Sequence, residues 1–269
     1  FLVCVSRNGQ MLYSINKDTA GWISIPGTEL DTVVVQGKDN NYYLTKDFYN
    51  RTTYETTGTN YGNIYLDYHC IKDGLSKNTV LHGHTTGKAS GIPKQAFRSL
   101  YDFRDKNHFI ENPIIKYSTL YGEYTFKICA VFLSSTQPKD DNGYLFNYIY
   151  PDMSDNNMVG YIEQVKQRML YETGVSLEPT DKIITLSTCI LGNDDGRYAI
   201  HAKLVKVEKR IASEFPRLRF ISLLSAVLPD LLLSVLCIRL QAGHRAGTVP
   251  PWQCGAVLPL SHHNSQTYA

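Results

Sequence analysis

The sequence lacks the features that mark several common functional classes. Its six cysteines form no CxxC or CxxH arrangement, so we expect no structural zinc site. Its acidic residues show no calcium-loop spacing, and we expect neither a metal nor a cofactor. No basic stripe interleaved with aromatic residues occurs before residue 211, and nucleic-acid binding is therefore not expected.

A long apolar segment is also missing from the beginning of the chain. Residues 1–12 open with a short apolar run that is too brief to span a bilayer and lacks the basic start of a signal peptide. We expect this segment to be an N-terminal remnant or linker, such as the trimmed end of a longer anchor. The cysteines are widely spaced, so we expect mostly free thiols rather than a disulfide scaffold.

Composition divides the chain near residue 210. Residues 1–210 carry 23 basic and 23 acidic side chains and 18 of the 19 tyrosines, whereas the remainder supplies the net charge of +2. Phe220–Ile238 is a Leu-rich run with Pro229 and Asp230 at its centre, and a central Asp costs about 2.5–3.5 kcal/mol on membrane insertion. We expect residues 211–269 to be an atypical tail, either a helical appendage or sequence foreign to the domain, with a membrane span as the alternative.

Residues 13–210 consist of short β-rich runs broken by Gly, Asn and Asp. Eight runs are predicted as strands: Gly21–Pro26, Thr32–Gln36, Asn63–Tyr68, Thr79–His82, Ile114–Tyr117, Tyr124–Leu133, Lys182–Cys189 and Ala199–Val207. Two helices are predicted at Pro93–Arg104 and at Asp155–Thr173, the second with an apolar stripe that ends before Gly174. Without regular βαβ alternation, this order predicts a mainly β fold, a mixed or antiparallel barrel with inserted helices.

Two predicted strands end in residues that suit nucleophilic catalysis. Thr185–Cys189 (TLSTC) delivers Cys189 at a strand end, and Thr79–His84 (TVLHGH) delivers His84. A thiol must become a thiolate to attack, and an imidazole can take or hold its proton. Taken singly, Cys189 also fits a buried inert thiol and His84 a structural histidine, while Arg197 could simply pair with Asp194 or Asp195.

The ordered set of motifs resembles the class B sortases of Gram-positive bacteria. Asn16–Leu44 resembles the opening of these enzymes, and Gly62–Tyr68, TVLHGH, TLSTC and Arg197 follow in the family's order. The resemblance covers residues 13–210. It implies an eight-stranded sortase-type β-barrel with inserted and flanking helices, and a catalytic site made of Cys189, His84 and Arg197.

The resemblance also implies an activity. Cys189 would cleave a C-terminal sorting motif (LPXTG-like or a class B variant) of surface proteins through a thioester, with His84 as acid and base and Arg197 as oxyanion donor or substrate clamp. The acyl group would pass to a peptidoglycan precursor amine at the extracytoplasmic face of the membrane, where the full-length protein would be anchored. Ser187 and Thr188 flank the nucleophile, and we expect them to touch the substrate or to orient Cys189.

Several alternatives remain open at this point. Strand alternation puts His82 and His84 on the same side, and only the family pattern selects His84, which leaves the role of His82 open. A cysteine peptidase that hydrolyses peptides would share the nucleophile and differ in the acceptor. A non-catalytic sortase-fold binding module is the other alternative. The segment TTGKASGIPKQAF after His84 departs from the family pattern, which leaves the peptide preference open.

Overall fold

The computed structural model describes residues 11–54, 61–85, 97–140, 143–190 and 193–209. The tail at 211–269 and all but two residues of the segment 1–12 lie outside the described residues. Eight strands are present: β1 (Thr19–Ser24), β2 (Asp31–Val35), β3 (Tyr65–Leu66), β4 (Asn78–His82), β5 (Ile114–Ser118), β6 (Gly122–Ser135), β7 (Ile183–Ile190) and β8 (Asn193–Lys209). The helices are α1 (Lys106–Glu111) and α2 (Asp155–Arg168), with 3₁₀ helices at Tyr42–Leu44, Phe97–Arg104 and Pro138–Asp140, and residues 11–15 are also helical.

The strands close into one barrel in the order β1-β2-β3-β4-β7-β8-β6-β5, completed by the pairing of β5 with β1. The β2–β3 and β4–β7 pairs are parallel, and the other pairs are antiparallel. Each predicted strand overlaps an observed one, and the expected eight-stranded barrel with added helices is confirmed.

Alternation along β7 and β8 separates the barrel core from the face that carries the site. Leu186 and Ile200 are paired across the two strands and are fully buried in the main apolar core. Because successive side chains of a strand point to opposite faces, Ser187 and Cys189 face away from that core. Part of this outer face is covered by α2, whose buried side chains pack on Phe132 and Ala199.

The predicted second helix is correct in its apolar face and wrong in its end. Met158, Ile162 and Val165 are buried as the stripe requires, and the Ser154 side chain caps the first turn. The helix ends at Arg168 instead of Thr173, because Met169 turns to an extended conformation and bridges Phe132 of β6. Pairing with the sheet therefore ends the helix before Thr173, the end that the apolar stripe and Gly174 predict.

The predicted helix at Pro93–Arg104 is a 3₁₀ helix over Phe97–Arg104, and residues 93–96 lie outside the described residues. Phe97, Leu100 and Phe103 are each fully buried. Their spacing of three matches the three residues per turn of a 3₁₀ helix, which places them on one face. This face packs into the main core of the barrel.

Candidate active site

Three adjacent strands bring the predicted site residues together. Cys189 on β7 is paired with Arg197 on β8 in the antiparallel register. On the other side of β7, His82 of the parallel strand β4 is paired with Ser187. Beyond the last pair, the Gly83 N–H donates to the Ser187 carbonyl at 3.2 Å, and His84 and Cys189 follow as residues of one groove. The three residues therefore converge at one end of the β4–β7–β8 part of the sheet.

A groove of about 500 Å³ opens over this end of the sheet. His84, Cys189 and Arg197 all line it, together with His82, Ser187 and Thr188. Its walls also include residues 145–149, which precede α2, and Leu44 from the 3₁₀ helix at Tyr42–Leu44. A peptide that enters this groove meets a thiol, an imidazole and a guanidinium together.

Among the described cysteines, Cys189 is the one whose side chain is not buried. Cys70 and Cys129 are buried free thiols, and burial raises their pKa to about 11 and about 12, respectively. Both remain protonated near neutral pH, so neither is a competent nucleophile there. Cys4, Cys237 and Cys254 lie outside the described residues. Burial therefore supports Cys189 over the other two described cysteines.

The imidazole of His84 is held by Leu44, another residue that lines the groove. Its Nε2 lies 2.8 Å from the carbonyl oxygen of Leu44. Because a carbonyl oxygen only accepts, Nε2 carries the proton of this hydrogen bond, and Nδ1 is the other nitrogen of the ring. The backbone carbonyl of His84 accepts from the Phe97 N–H at 3.1 Å, which ties the end of β4 to the 3₁₀ helix.

His82, the competing histidine, is engaged in a partly buried pair with Asp67. Its Nε2 lies 3.0 Å from Oδ2 of Asp67, a carboxylate that also accepts from the His69 backbone and from Asn40. Burial raises the pKa of Asp67, but these hydrogen bonds, that from His82 foremost, outweigh burial and hold it well below its usual value. His82 therefore has a structural partner, a role that the sequence did not reveal.

Arg197 reaches the groove from β8. Its Nη1 donates to the Gly196 carbonyl at 3.0 Å. The Asp195 carboxylate accepts from Thr136 and Gln137, at 3.1 and 3.3 Å, and the Asp194 side chain lies outside the described residues.

Ser187 and Thr188 are both buried, and each hydroxyl is bound to another hydroxyl. Ser187 Oγ lies 2.8 Å from the Tyr148 hydroxyl, whose pKa burial raises to about 12. Thr188 Oγ1 is hydrogen-bonded to Thr85 Oγ1. The structure therefore shows partners that position these two residues, while both also border the groove.

Sequence reasoning did not find several residues that build the site. Leu44 holds His84, Tyr148 meets Ser187, and Thr85 and Tyr101 donate to the Cys189 carbonyl at 2.8 and 3.1 Å. None of these residues belongs to a catalytic residue type in a recognisable spacing. The position of Thr85 directly after His84 was the one available signal.

The described ranges hold no candidate metal site and no candidate membrane-spanning helix. Within them, no group of three or more His, Cys, Asp and Glu side chains is arranged to hold a metal ion. No helix in that part of the chain is both long and apolar enough to cross a membrane.

Comparison with known proteins relates both the sequence and the fold to one family, although no family profile matches the chain. The chain is 33% identical to sortase B of Listeria monocytogenes over 199 residues, which make up 72% of each protein. A Staphylococcus aureus sortase B–substrate complex matches with a TM-score of 0.63 at 29% identity, covering 75% of this chain and 86% of that chain. Sortase B complexed with triglycine matches with a TM-score of 0.63 at 28% identity, covering 75% and 87%. The chain therefore belongs to the sortase B family and is a cysteine transpeptidase of that family.

Proposed function

We propose that Cys189 is the nucleophile, His84 the general acid and base, and Arg197 the donor that stabilises the oxyanion. The observation that carries this proposal is the register of three strands. Cys189 is paired with Arg197, and the β4–β7 register pairs His82 with Ser187, two residues before His84 and Cys189, respectively. All three line one groove.

The reaction follows from these positions. The Cys189 thiolate attacks the carbonyl carbon of the scissile peptide bond, and the negative charge that develops on oxygen is stabilised by Arg197. Nδ1 of His84, which holds the proton taken from the Cys189 thiol, gives this proton to the departing amine as the C–N bond breaks, and a thioester is left on Cys189. An incoming amine then attacks the thioester and loses a proton to His84, and the thiolate of Cys189 is released.

The hydrogen bond between His84 and Leu44 supports a particular assignment of the imidazole nitrogens. Nε2 donates to the Leu44 carbonyl, and we assign proton exchange with substrate and nucleophile to Nδ1. An imidazole fixed through one nitrogen keeps the other in a constant direction, which limits the reorganisation needed for proton transfer.

The substrate is proposed to be the sorting-signal peptide of a secreted surface protein, and the acceptor a peptidoglycan precursor amine. Structures of sortase B with a substrate and with triglycine support a peptide and an amine as the two ligands. This reaction would take place at the extracytoplasmic face of a Gram-positive membrane, with the full-length protein anchored there. Ser187 and Thr188 border the groove, and we propose substrate contact for both.

The test compares Cys189→Ala and His84→Ala with wild-type protein, using a fluorogenic sorting-motif peptide with and without triglycine. Cys189→Ala is expected to form no thioester, and His84→Ala to lose nearly all turnover. Cys129→Ala is the matched control, because this thiol is buried and lies outside the groove. Full activity of Cys189→Ala would refute the assignment of Cys189 as the nucleophile. A product pattern that triglycine does not change would instead identify a hydrolytic cysteine peptidase.

We also propose that residues 13–210 are the catalytic domain and that residues 211–269 are dispensable. The barrel closes through β5 and β1, and its last strand ends at Lys209. Truncation after Arg210 is therefore expected to leave kcat and KM unchanged in the peptide assay. Loss of transpeptidation in a truncated protein that still melts cooperatively would give the tail a functional role.

A further inference from the structure

The 3₁₀ helix at Phe97–Arg104 contacts the backbone of two of the three proposed catalytic residues, His84 and Cys189. At its start, the Phe97 N–H donates to the carbonyl of His84 at 3.1 Å. Four residues later, the Tyr101 hydroxyl donates to the carbonyl of Cys189, also at 3.1 Å. One short helix thus joins the end of β4 to the end of β7, where the spacing between imidazole and thiol is set.

The carbonyl of Cys189 accepts a second side-chain hydrogen bond, from Thr85 Oγ1 at 2.8 Å. Thr85 has a single hydroxyl proton, and a carbonyl oxygen can only accept, so this proton is committed to Cys189. The hydroxyl of Thr188 must then donate to Thr85 Oγ1, with which it is hydrogen-bonded. A relay of hydroxyls from Thr188 through Thr85 therefore ends on the backbone of Cys189.

The helix that carries Tyr101 is itself well fixed. Phe97, Leu100 and Phe103 are fully buried on its inner face. The ring of Tyr101 stacks on that of Tyr198, with ring centroids 5.2 Å apart and planes inclined by 24°. The Arg104 guanidinium lies 5.1 Å from the centre of the Tyr101 ring. A hydroxyl held in this way loses little further freedom when it binds the Cys189 carbonyl.

We propose that Tyr101 is a positioning residue of the transpeptidase, which fixes the backbone of Cys189 relative to His84. Two side-chain donors on the carbonyl of Cys189 restrict the backbone at this residue, and with it the direction of the Cα–Cβ bond that carries the thiolate. Misplacement of a nucleophile by a fraction of an ångström slows the chemical step without weakening the binding of the substrate. This role rests on the proposed nucleophile and adds a positioning function to the 3₁₀ helix.

The test uses the full chain and the fluorogenic peptide with triglycine. Tyr101→Phe keeps the ring and removes only the hydroxyl, and Tyr198→Phe is its matched control. The Tyr198 hydroxyl is buried and has no hydrogen-bond partner among the described residues. Tyr101→Phe is expected to lower kcat by about 5- to 10-fold, the effect of one hydrogen bond, with KM unchanged. Tyr198→Phe is expected to leave both constants unchanged.

Substitutions of Thr85 supply a second arm. Thr85→Val removes the hydroxyl and is expected to lower kcat. Thr85→Ser keeps the hydroxyl and is expected to have the kcat of the wild type. The Tyr101→Phe/Thr85→Val double variant is expected to lose more than the two single effects combined, because each hydroxyl holds the carbonyl when the other is removed. The rate of thioester formation, measured by burst kinetics, should fall in the same order as kcat: Thr85→Ser is highest, the two single variants that lack a hydroxyl are lower, and the double variant is lowest.

Three outcomes would overturn the positioning role. The first is wild-type kcat in Tyr101→Phe, and the second is an equal loss in Tyr198→Phe. The third is a loss of kcat fully explained by a smaller folded fraction, measured by circular dichroism at the assay temperature. Activity that persists in Cys189→Ala would instead reject the proposed nucleophile, so the two failures are distinguishable.

Discussion

Cys189 and Arg197 are direct partners across the β7–β8 pair, although residues 190–196 lie between them in the chain. Antiparallel partners point their side chains to the same face of the sheet, so the thiol and the guanidinium share one side. This relationship is fixed by the backbone ladder of the two strands. It explains how one β-ribbon presents both a nucleophile and a cation to the groove.

The Arg197 side chain is the first target for mutation. Arg197→Ala is expected to lower kcat by roughly 100- to 1000-fold while leaving the protein folded, because one oxyanion donor is lost. Arg197→Lys keeps the charge but not the planar fork of donors, and its kcat should lie between that of the alanine variant and that of the wild type. Steady-state kinetics with the sorting-motif peptide measure both. An alanine variant with wild-type kcat would exclude an oxyanion role.

Reactivity should separate the three described cysteines. At pH 8 a thiol reagent is expected to label Cys189 and to spare Cys70 and Cys129, whose pKa values burial raises to about 11 and about 12. Peptide mapping by mass spectrometry gives the modified positions. Cys70→Ala and Cys129→Ala should keep the chemical step. Labelling of Cys129 in the folded protein as fast as Cys189 would contradict this order.

Gly83 separates His82 from His84 and leaves no room for a side chain. A Cβ at this position would lie 2.8 Å from Cδ2 of Phe97 and 3.2 Å from Cγ1 of Ile64. Because Phe97 is fixed in the core, Gly83→Ala is expected to push the end of β4 away, to cost about 1–3 kcal/mol of stability and to lower kcat. Thermal melts and peptide kinetics measure the two effects.

Two further variants control the Gly83 experiment. At Gly160 of α2 a Cβ would meet nothing within 4 Å, so Gly160→Ala should stabilise the protein by about 0.5–1 kcal/mol through helix propensity. The Gly83→Ala/Phe97→Leu double variant should recover part of the lost kcat, because a smaller side chain relieves the overlap. If Gly83→Ala and Gly160→Ala do not differ in thermal stability or in kcat, the close approach of Gly83 to Phe97 is without consequence.

The Asp67–His82 pair is expected to stabilise the fold in a pH-dependent manner. Asp67→Asn should cost about 2 kcal/mol at pH 7, because the carboxylate is nearly buried and accepts several hydrogen bonds. The pKa of Asp67 is lowered by folding, so this stabilisation is fully present above the ordinary value of about 3.9. It is lost as the pH falls from there towards the lowered pKa of the folded state.

Urea denaturation between pH 2.5 and pH 7 checks this dependence. The difference in unfolding free energy between wild type and Asp67→Asn should shrink below about pH 4. Glu163→Gln is the control, because its ion pair with Lys166 lies on the exposed face of α2 and should contribute little at any pH. A difference that stays constant down to pH 2.5 would show that the charge of Asp67 is not the stabilising element.

Local periodicity explains what sequence reasoning predicted correctly. The β-branched run that ends in Cys189 and the stripe of Met158, Ile162 and Val165 follow the periods of a strand and a helix, and both elements are present. The predicted end of α2 was wrong, because Met169 leaves the helix to pair with Phe132. That pairing depends on a strand far away in the chain, which a local pattern does not contain.

The sequence by itself determined the strands, their order along the chain and the three residue types that suit acyl transfer. Only the tertiary structure decided that His82 is tied to Asp67, that Leu44 holds His84, and that the carbonyl of Cys189 rests on Thr85 and Tyr101. The physical reason is the range of the contacts. Strand and helix patterns arise between residues two to four positions apart, whereas these hydrogen bonds form only after the closed barrel has brought distant strand ends together.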